Sequence, residues 1–125
     1  MADNPQKYVK IEAVIKPFKL DDVKDALVAI GVPGVTVIGD SNETKGIVRG
    51  RGLQRAHTEL YRGSEYTIDL IPKTVVWVVV PEELSDRVAD VILQAAKTGI
   101  VGDGLVWAYN LNSVRQIVDG QPYQP

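Results

Sequence analysis

The feature that most constrains this chain is a switch of hydrophobic period that occurs twice in the same order. Val9, Ile11, Ala13 and Ile15 alternate with Lys10 and Glu12, the period of a half-buried strand. Pro17 closes that run. Leu20, Val23, Leu27 and Ile30 then recur at three and four residues, which is one face of a helix. Asp21 and Asp22 fall in its first turn, where the helix dipole favours acids, and Gly31 is its natural stop. Val35 to Ile38 starts a second strand. The cycle then repeats. Strand character returns at Tyr66–Ile71 and continues from Thr74 to Val80. Pro81-Glu82-Glu83 opens a second helix with core positions Leu84, Val88, Val91, Ile92 and Ala95, ending at Lys97 and Gly99. Gly102-Asp103-Gly104 turns into a short strand, Val106–Tyr109. Val114–Val118 can add an edge strand, and residues 119–125 read as an irregular tail.

Two β-α-β units in series predict an α+β ferredoxin-like βαββαβ sandwich, with an antiparallel sheet and both helices on one face. Thr74–Val80 is apolar at both parities, so both its faces are expected to be covered. Two helices cover only one. The cheapest second cover is another copy of the sheet, and a homo-oligomer is expected.

Composition bounds the chemistry. A chain of 125 residues is one domain, 1–125. With 45% hydrophobic and 24% charged residues it has the balance of a globular protein. A net charge of -2 argues against broad nucleic-acid binding. The absence of cysteine excludes disulfides, thiolate zinc sites and thiol nucleophiles, and a single histidine excludes a multi-His metal centre. The polar N-terminus lacks a signal-like apolar core. The longest apolar run, Val75–Val80, falls far short of the ~18 residues of a membrane helix. The expectation is a cytoplasmic protein with no metal, no nucleic-acid partner and no membrane insertion.

Residues 39–65 interrupt the pattern. Gly39 to Thr44 has turn composition, Lys45 to Gly52 is rich in glycine and arginine, and His57 to Tyr66 is polar with exposed-looking tyrosines. So long a connection in a small domain is usually functional. Gly46 and Arg49-Gly50-Arg51-Gly52 can form backbone nests for phosphate, or a solvated basic loop; they match neither a Walker loop nor a dinucleotide fingerprint. His57 and Glu59 can act as a general base pair or as a surface pair. No catalytic constellation is assigned, and a non-enzyme is expected.

Four segments carry a family resemblance: Ile11-Glu12-Ala13-Val14-Ile15-Lys16-Pro17-Phe18-Lys19-Leu20-Asp21, His57-Thr58-Glu59-Leu60-Tyr61-Arg62-Gly63-Ser64-Glu65-Tyr66, Leu70-Ile71-Pro72-Lys73, and Thr98-Gly99 with Gly102-Asp103-Gly104. Through them the chain resembles the PII-type nitrogen-regulatory signalling proteins from about Lys10 to Gly120. The resemblance implies a homotrimer with effector sites in clefts between subunits. It implies a regulated protein partner, a transporter, enzyme or regulator, bound through residues 39–65. Arg49, Arg51, Arg55, His57, Glu59, Tyr61 and Arg62 are the candidate contacts there. It implies ATP or ADP with magnesium, and 2-oxoglutarate, as effectors, with Thr36, Gln54, Lys73, Gly102, Asp103 and Gly104 as effector residues. Tyr66 matches the tyrosine that some members have uridylylated.

The departures from the family pattern lie at the phosphate contacts. Where typical members place cations, this chain has Leu53, Leu105, Gln116 and Val118. Phosphate recognition rests on charge-assisted hydrogen bonds worth roughly 1.5–3 kcal/mol each, so nucleotide binding is expected to be weakened or lost. An insertion between Val37 and Gly52 brings Lys45, Arg49 and Arg51. These three reach back to a ligand, contact an acidic partner or stay solvated. Arg115 stands one residue from an expected arginine, a shift that reverses its face on a strand. The rival readings are a structural adaptor that senses nothing and a small enzyme using His57 and Glu59.

Overall fold

Strand β1 (Tyr8–Ile15) is the centre of the molecule. Its Val9, Ile11, Ala13 and Ile15 are all buried, as the alternation requires. It is paired antiparallel on one side with β5 (Thr74–Pro81) and on the other with β6 (Gly104–Leu111). The computed structural model describes residues 6–32, 34–39, 58–61, 64–67 and 72–124. A short strand, β2 (Thr36–Ile38), pairs with β5 and gives the sheet order β2-β5-β1-β6. This is the antiparallel ferredoxin-like arrangement that the periodicity predicts.

Pro17 has no backbone N–H to continue β1, and it opens a single 3-10 turn, Pro17–Lys19. That turn feeds α1 (Leu20–Ala29). The second helix, α2 (Ser85–Ala96), lies beside α1 on the same face of the sheet. Val23, Leu27, Val88 and Ile92 are fully buried against Ile11, Val76 and Val78. Each such side chain contributes about 1.5–3 kcal/mol by leaving water.

Four expectations are corrected. The second helix starts at Ser85, because Glu82–Leu84 forms a separate 3-10 turn. Leu84 is therefore 39% exposed, and Ala96 completes the buried stripe in its place. The last strand is longer than Val106–Tyr109, running from Gly104 to Leu111. Val114–Val118 is not an edge strand. It enters a tight turn in which the Gly120 N–H donates to Gln116 O at 2.7 Å and the Gln116 N–H to Gln121 O at 2.8 Å. Gly120 takes a φ of 70°, which ends any extended run. Finally, the connection 39–65 is not loop throughout. Within it β3 (Thr58–Tyr61) pairs antiparallel with β4 (Ser64–Thr67), forming a separate two-stranded sheet. Two β-prone runs separated by Arg62-Gly63 carry the hairpin spacing, a signal that polarity had masked. Of the strand expected over Tyr66–Ile71, Tyr66 and Thr67 belong to β4 and pair with β3, and residues 68–71 lie outside the described residues.

The sheet face away from the helices is half covered in a single copy. On β5, Thr74, Val76, Val78 and Val80 are buried while Val75, Trp77 and Val79 are partly exposed. A polar row crosses the centre of that open face. Glu12 Oε1 accepts the Trp107 indole N–H at 2.9 Å and the Tyr109 hydroxyl at 3.1 Å. Lys10 Nζ lies 3.4 Å from Glu12 Oε2 and 4.5 Å from the centre of the Trp77 ring. At the end of the face the tail folds back. Tyr8 donates its hydroxyl to Tyr123 O at 2.9 Å, and the two rings lie 5.2 Å apart. The segment expected to be irregular is thus docked through Tyr123.

Candidate functional site

Three segments that are remote in sequence meet where β1 leaves the sheet and β5 and β6 enter it. Lys73 directly precedes β5. It is 3% exposed, and its ammonium donates to the carbonyl of Gly102. Burial, and then the neighbouring charge of Lys16, lower its pKa from the ordinary lysine value. Thr74, next in sequence and fully buried, donates its hydroxyl to Gly39 O at 3.0 Å. The root of the 39–65 connection is therefore fixed one residue away from the buried lysine.

Asp103 organises the turn after α2. Its Oδ2 accepts the backbone N–H groups of Thr98 and Gly99, each at 2.8 Å. Its Oδ1 accepts the Thr98 hydroxyl and lies 3.2 Å from Lys16 Nζ. The bond from Thr98, with those from Gly99 and Lys16, holds its carboxyl well below the usual carboxylate range. Lys16 also donates to Thr98 Oγ1 at 3.2 Å. The flanking glycines have φ of 96° at Gly102 and 113° at Gly104, values that side chains with a Cβ rarely adopt. This explains why Gly-Asp-Gly stands here: glycines make the bend and the aspartate locks it. The carboxylate of Asp103 faces into its own turn, so it is a structural member of the site.

Beside this turn a cleft of about 360 Å³ opens at the edge of the sheet between α2 and β6. Val14, Leu93, Ala96, Leu105 and Val106 give it mainly apolar walls, with Asp103 and Lys97 at its polar end. Leu105 is 49% exposed.

The structure thus brings together Lys73, Gly102, Asp103 and Gly104 of the expected effector residues. Thr36 stands apart. It lies on β2, opposite Trp77, at the other edge of the sheet from Gly104, three strand spacings or roughly 14 Å across and three residues or roughly 10 Å along the strands. Gln54 lies outside the described residues, as do Leu53, Arg49, Arg51, Arg55, His57 and Arg62. Glu59, Tyr61 and Tyr66 are in the β3–β4 hairpin, with Glu59 opposite Tyr66. Gln116 and Val118 belong to the tail turn. Arg115 is engaged there as well, its Nε donating to Gly120 O at 2.8 Å. Lys16 and Thr98, quoted for the family likeness without a role, prove to be the partners of Asp103. Among the described residues no group of His, Cys, Asp and Glu could hold a metal ion. No helix among them is long and apolar enough to cross a membrane.

Comparison with known proteins agrees with this architecture. The family model for "Nitrogen regulatory protein P-II" matches residues 8–121. A Nitrogen regulatory protein P-II of Haemophilus influenzae is 46% identical over 112 residues, covering 90% of this chain and 93% of the relative. Nitrogen regulatory protein P-II 1 of Escherichia coli K12 is 44% identical over the same share of each chain. Among solved structures, Arabidopsis thaliana PII, described as bound to citrate, superposes with a TM-score of 0.71 at 25% identity, covering 95% of this chain and 88% of that one. The βαβ repeat, the Gly102-Asp103-Gly104 turn locked to Thr98 and Lys16, and a match spanning residues 8–121 lead to one conclusion: the chain belongs to the P-II nitrogen regulatory protein family, whose members are signalling regulators and not enzymes.

Proposed function

We propose that this protein is a trimeric effector-responsive regulator. A small carboxylate-bearing effector binds at Lys73 and the 98–104 turn, and residues 39–65 carry the response to a partner protein. The observation that carries this reading is the adjacency of Lys73 and Thr74. The first holds the turn through Gly102, and the second holds the root of the connection through Gly39. An anionic group that draws the Lys73 ammonium away from the Gly102 carbonyl disturbs the turn beside that root. A carboxylate is the natural partner of a buried ammonium, and the related Arabidopsis protein is described as bound to citrate. Thr36 and Gly104 stand on opposite edges of one sheet. A ligand that touches both therefore lies between two copies, which supports the assembly. ATP and ADP bind weakly, because Leu105, Gln116 and Val118 offer no charge to a phosphate. Tyr66 is a candidate modification site, where a bulky anion would alter partner binding. The compartment is cytoplasmic.

Titration calorimetry with 2-oxoglutarate, citrate and magnesium-ADP, on the wild type and on Lys73→Met, tests the effector site. Carboxylate binding is expected in the wild type and at least tenfold weaker binding in the variant. Binding that ignores Lys73→Met overturns the site, and no binding of any of the three favours a non-sensing adaptor.

A further inference from the structure

Tyr8 holds both ends of one segment. The chain leaves β6 at Leu111, which pairs with Tyr8 across the sheet. It returns at Tyr123, whose ring lies 5.2 Å from the Tyr8 ring and whose carbonyl accepts the Tyr8 hydroxyl at 2.9 Å. Tyr8 itself is fixed. It is 5% exposed, and its strand is paired on both sides, with Pro81 on β5 and Leu111 on β6. The residues before it are fastened as well. The Glu82 N–H donates to Lys7 O at 2.9 Å, and the Gln6 amide donates to Glu83 Oε1 at 3.1 Å. Burial, then Tyr123, then Glu83 raise the Tyr8 pKa above the ordinary tyrosine value, so its hydroxyl stays a donor through the neutral range.

Between these ends the segment is a short hairpin. The Tyr123 N–H donates to Val114 O at 2.9 Å, Arg115 and Pro122 form a bridge, and the Gln116 N–H donates to Gln121 O at 2.8 Å. This hairpin has almost no core of its own. Ile117 and Val118 at its tip are 102% and 86% exposed, and of residues 112–124 only Val114, Gln116, Gly120 and Tyr123 are half-buried. A two-stranded hairpin alone is marginal in water. With so little apolar burial, the balance between closed and open rests on the hydrogen bonds and on the anchor. The same closure occupies Arg115, the segment's single cation. Its Nε donates to Gly120 O at 2.8 Å, and a Cβ placed on Gly120 would meet its Nη2 at 3.4 Å, so the guanidinium lies against the Gly120 backbone.

We propose that the contact between Tyr8 and Tyr123 is the clasp of a releasable strap: closed, it holds residues 114–123 as a hairpin with Arg115 occupied; open, it frees the turn and Arg115 together. The strap is internal to one copy and does not rest on the trimer reading. It makes the segment a two-state element. A partner or ligand that needs Arg115, or the segment in extended form, binds the open state and shifts the balance toward it.

Hydrogen exchange read by mass spectrometry, on the full-length protein and on two variants, tests the clasp. Tyr8→Phe keeps the ring and deletes the hydroxyl; Tyr123→Ala deletes the ring. Exchange across residues 112–124 is expected to be about fivefold faster in Tyr8→Phe, as for the loss of one neutral hydrogen bond, and faster still in Tyr123→Ala. Peptides from β1 and β5 should exchange as in the wild type. Equal exchange of 112–124 in all three proteins overturns the clasp. If β1 also loses protection in Tyr123→Ala, that variant has unfolded more widely and Tyr8→Phe alone decides. Brief trypsin treatment reads Arg115 directly, through the fragment that begins at Gln116. That fragment is expected to appear faster in the same order as the exchange. Faster exchange with no gain in cleavage after Arg115 overturns the claim that the strap withholds this residue.

Discussion

At Asp103 a single carboxylate takes hydrogen bonds from Thr98 and Gly99 and a charge from Lys16. Its pKa is depressed in the folded chain. The unfolded state therefore binds the proton more tightly, and the stability that Asp103 contributes is present above its unfolded pKa of about 3.9 and lost as pH falls below that value. The melting temperature of the wild type is expected to drop on acidification below about pH 4, and the drop should be shallower in Asp103→Asn. Thr98→Val removes one donor to an ionised acceptor, at a cost of about 1.5–3 kcal/mol in urea unfolding at pH 7. An equal acid slope in Asp103→Asn would show that other carboxylates carry the effect. The Gly102-Asp103-Gly104 turn and Lys73 were legible from residue type and family likeness. What locks them was not. Lys16 and Thr98 are 82 residues apart in sequence, and no local period links the end of a strand to the end of a helix.

Elements were legible wherever one periodicity ran uninterrupted. β1 and α1 follow it closely, since the alternating Val9, Ile11, Ala13 and Ile15 and the three-four-spaced Leu20, Val23 and Leu27 are the buried residues it marks, whereas β5 is apolar at both parities and its existence, not its buried face, was legible. The pattern failed where a short tight turn shifts the phase. Leu84 fits the helical stripe in spacing, yet it lies in a 3-10 turn with about three residues per turn, which rotates it away from the core. A paired substitution tests this. Ile92→Ala, at 0% exposure, is expected to cost about 2–5 kcal/mol in chemical unfolding. Leu84→Ala should cost about 0.5 kcal/mol, as for a surface position. Equal costs would restore Leu84 to the core. The β3–β4 hairpin failed for another reason. Its two runs, Thr58–Tyr61 and Ser64–Thr67, carry no clear apolar alternation in the sequence, and backbone pairing defines them.

At the scale of the whole molecule the open sheet face is the decisive feature. Exposed Ile38, Leu105 and Tyr109, with half-covered Val75, Trp77 and Val79, form an apolar surface larger than isolated surface residues explain. Light scattering is expected to give three times 13.7 kDa at all working concentrations. Both tryptophans of the chain lie on this face, so intrinsic fluorescence should shift when the assembly is diluted apart.

The chemistry of the cleft wall bears on nucleotide binding. A triphosphate carries about four negative charges, and moving it into a cleft walled by Val14, Leu93, Leu105 and Val106 leaves those charges unpaired at a cost of several kcal/mol. Arg115, the cation nearest in sequence to Gln116, is occupied by Gly120 O in its own turn. Magnesium-ATP is therefore expected to bind no tighter than the millimolar range in calorimetry at ordinary salt. Exchanging Leu105→Lys together with Val118→Arg supplies two cations, each able to make a charge-assisted bond of about 1.5–3 kcal/mol, and should tighten binding at least tenfold. Micromolar affinity in the unaltered protein would refute this. If that affinity disappeared on changing Arg49, Arg51 and Arg55 to alanine, the connection between β2 and β3, and not the cleft wall, would be the source of the phosphate contacts.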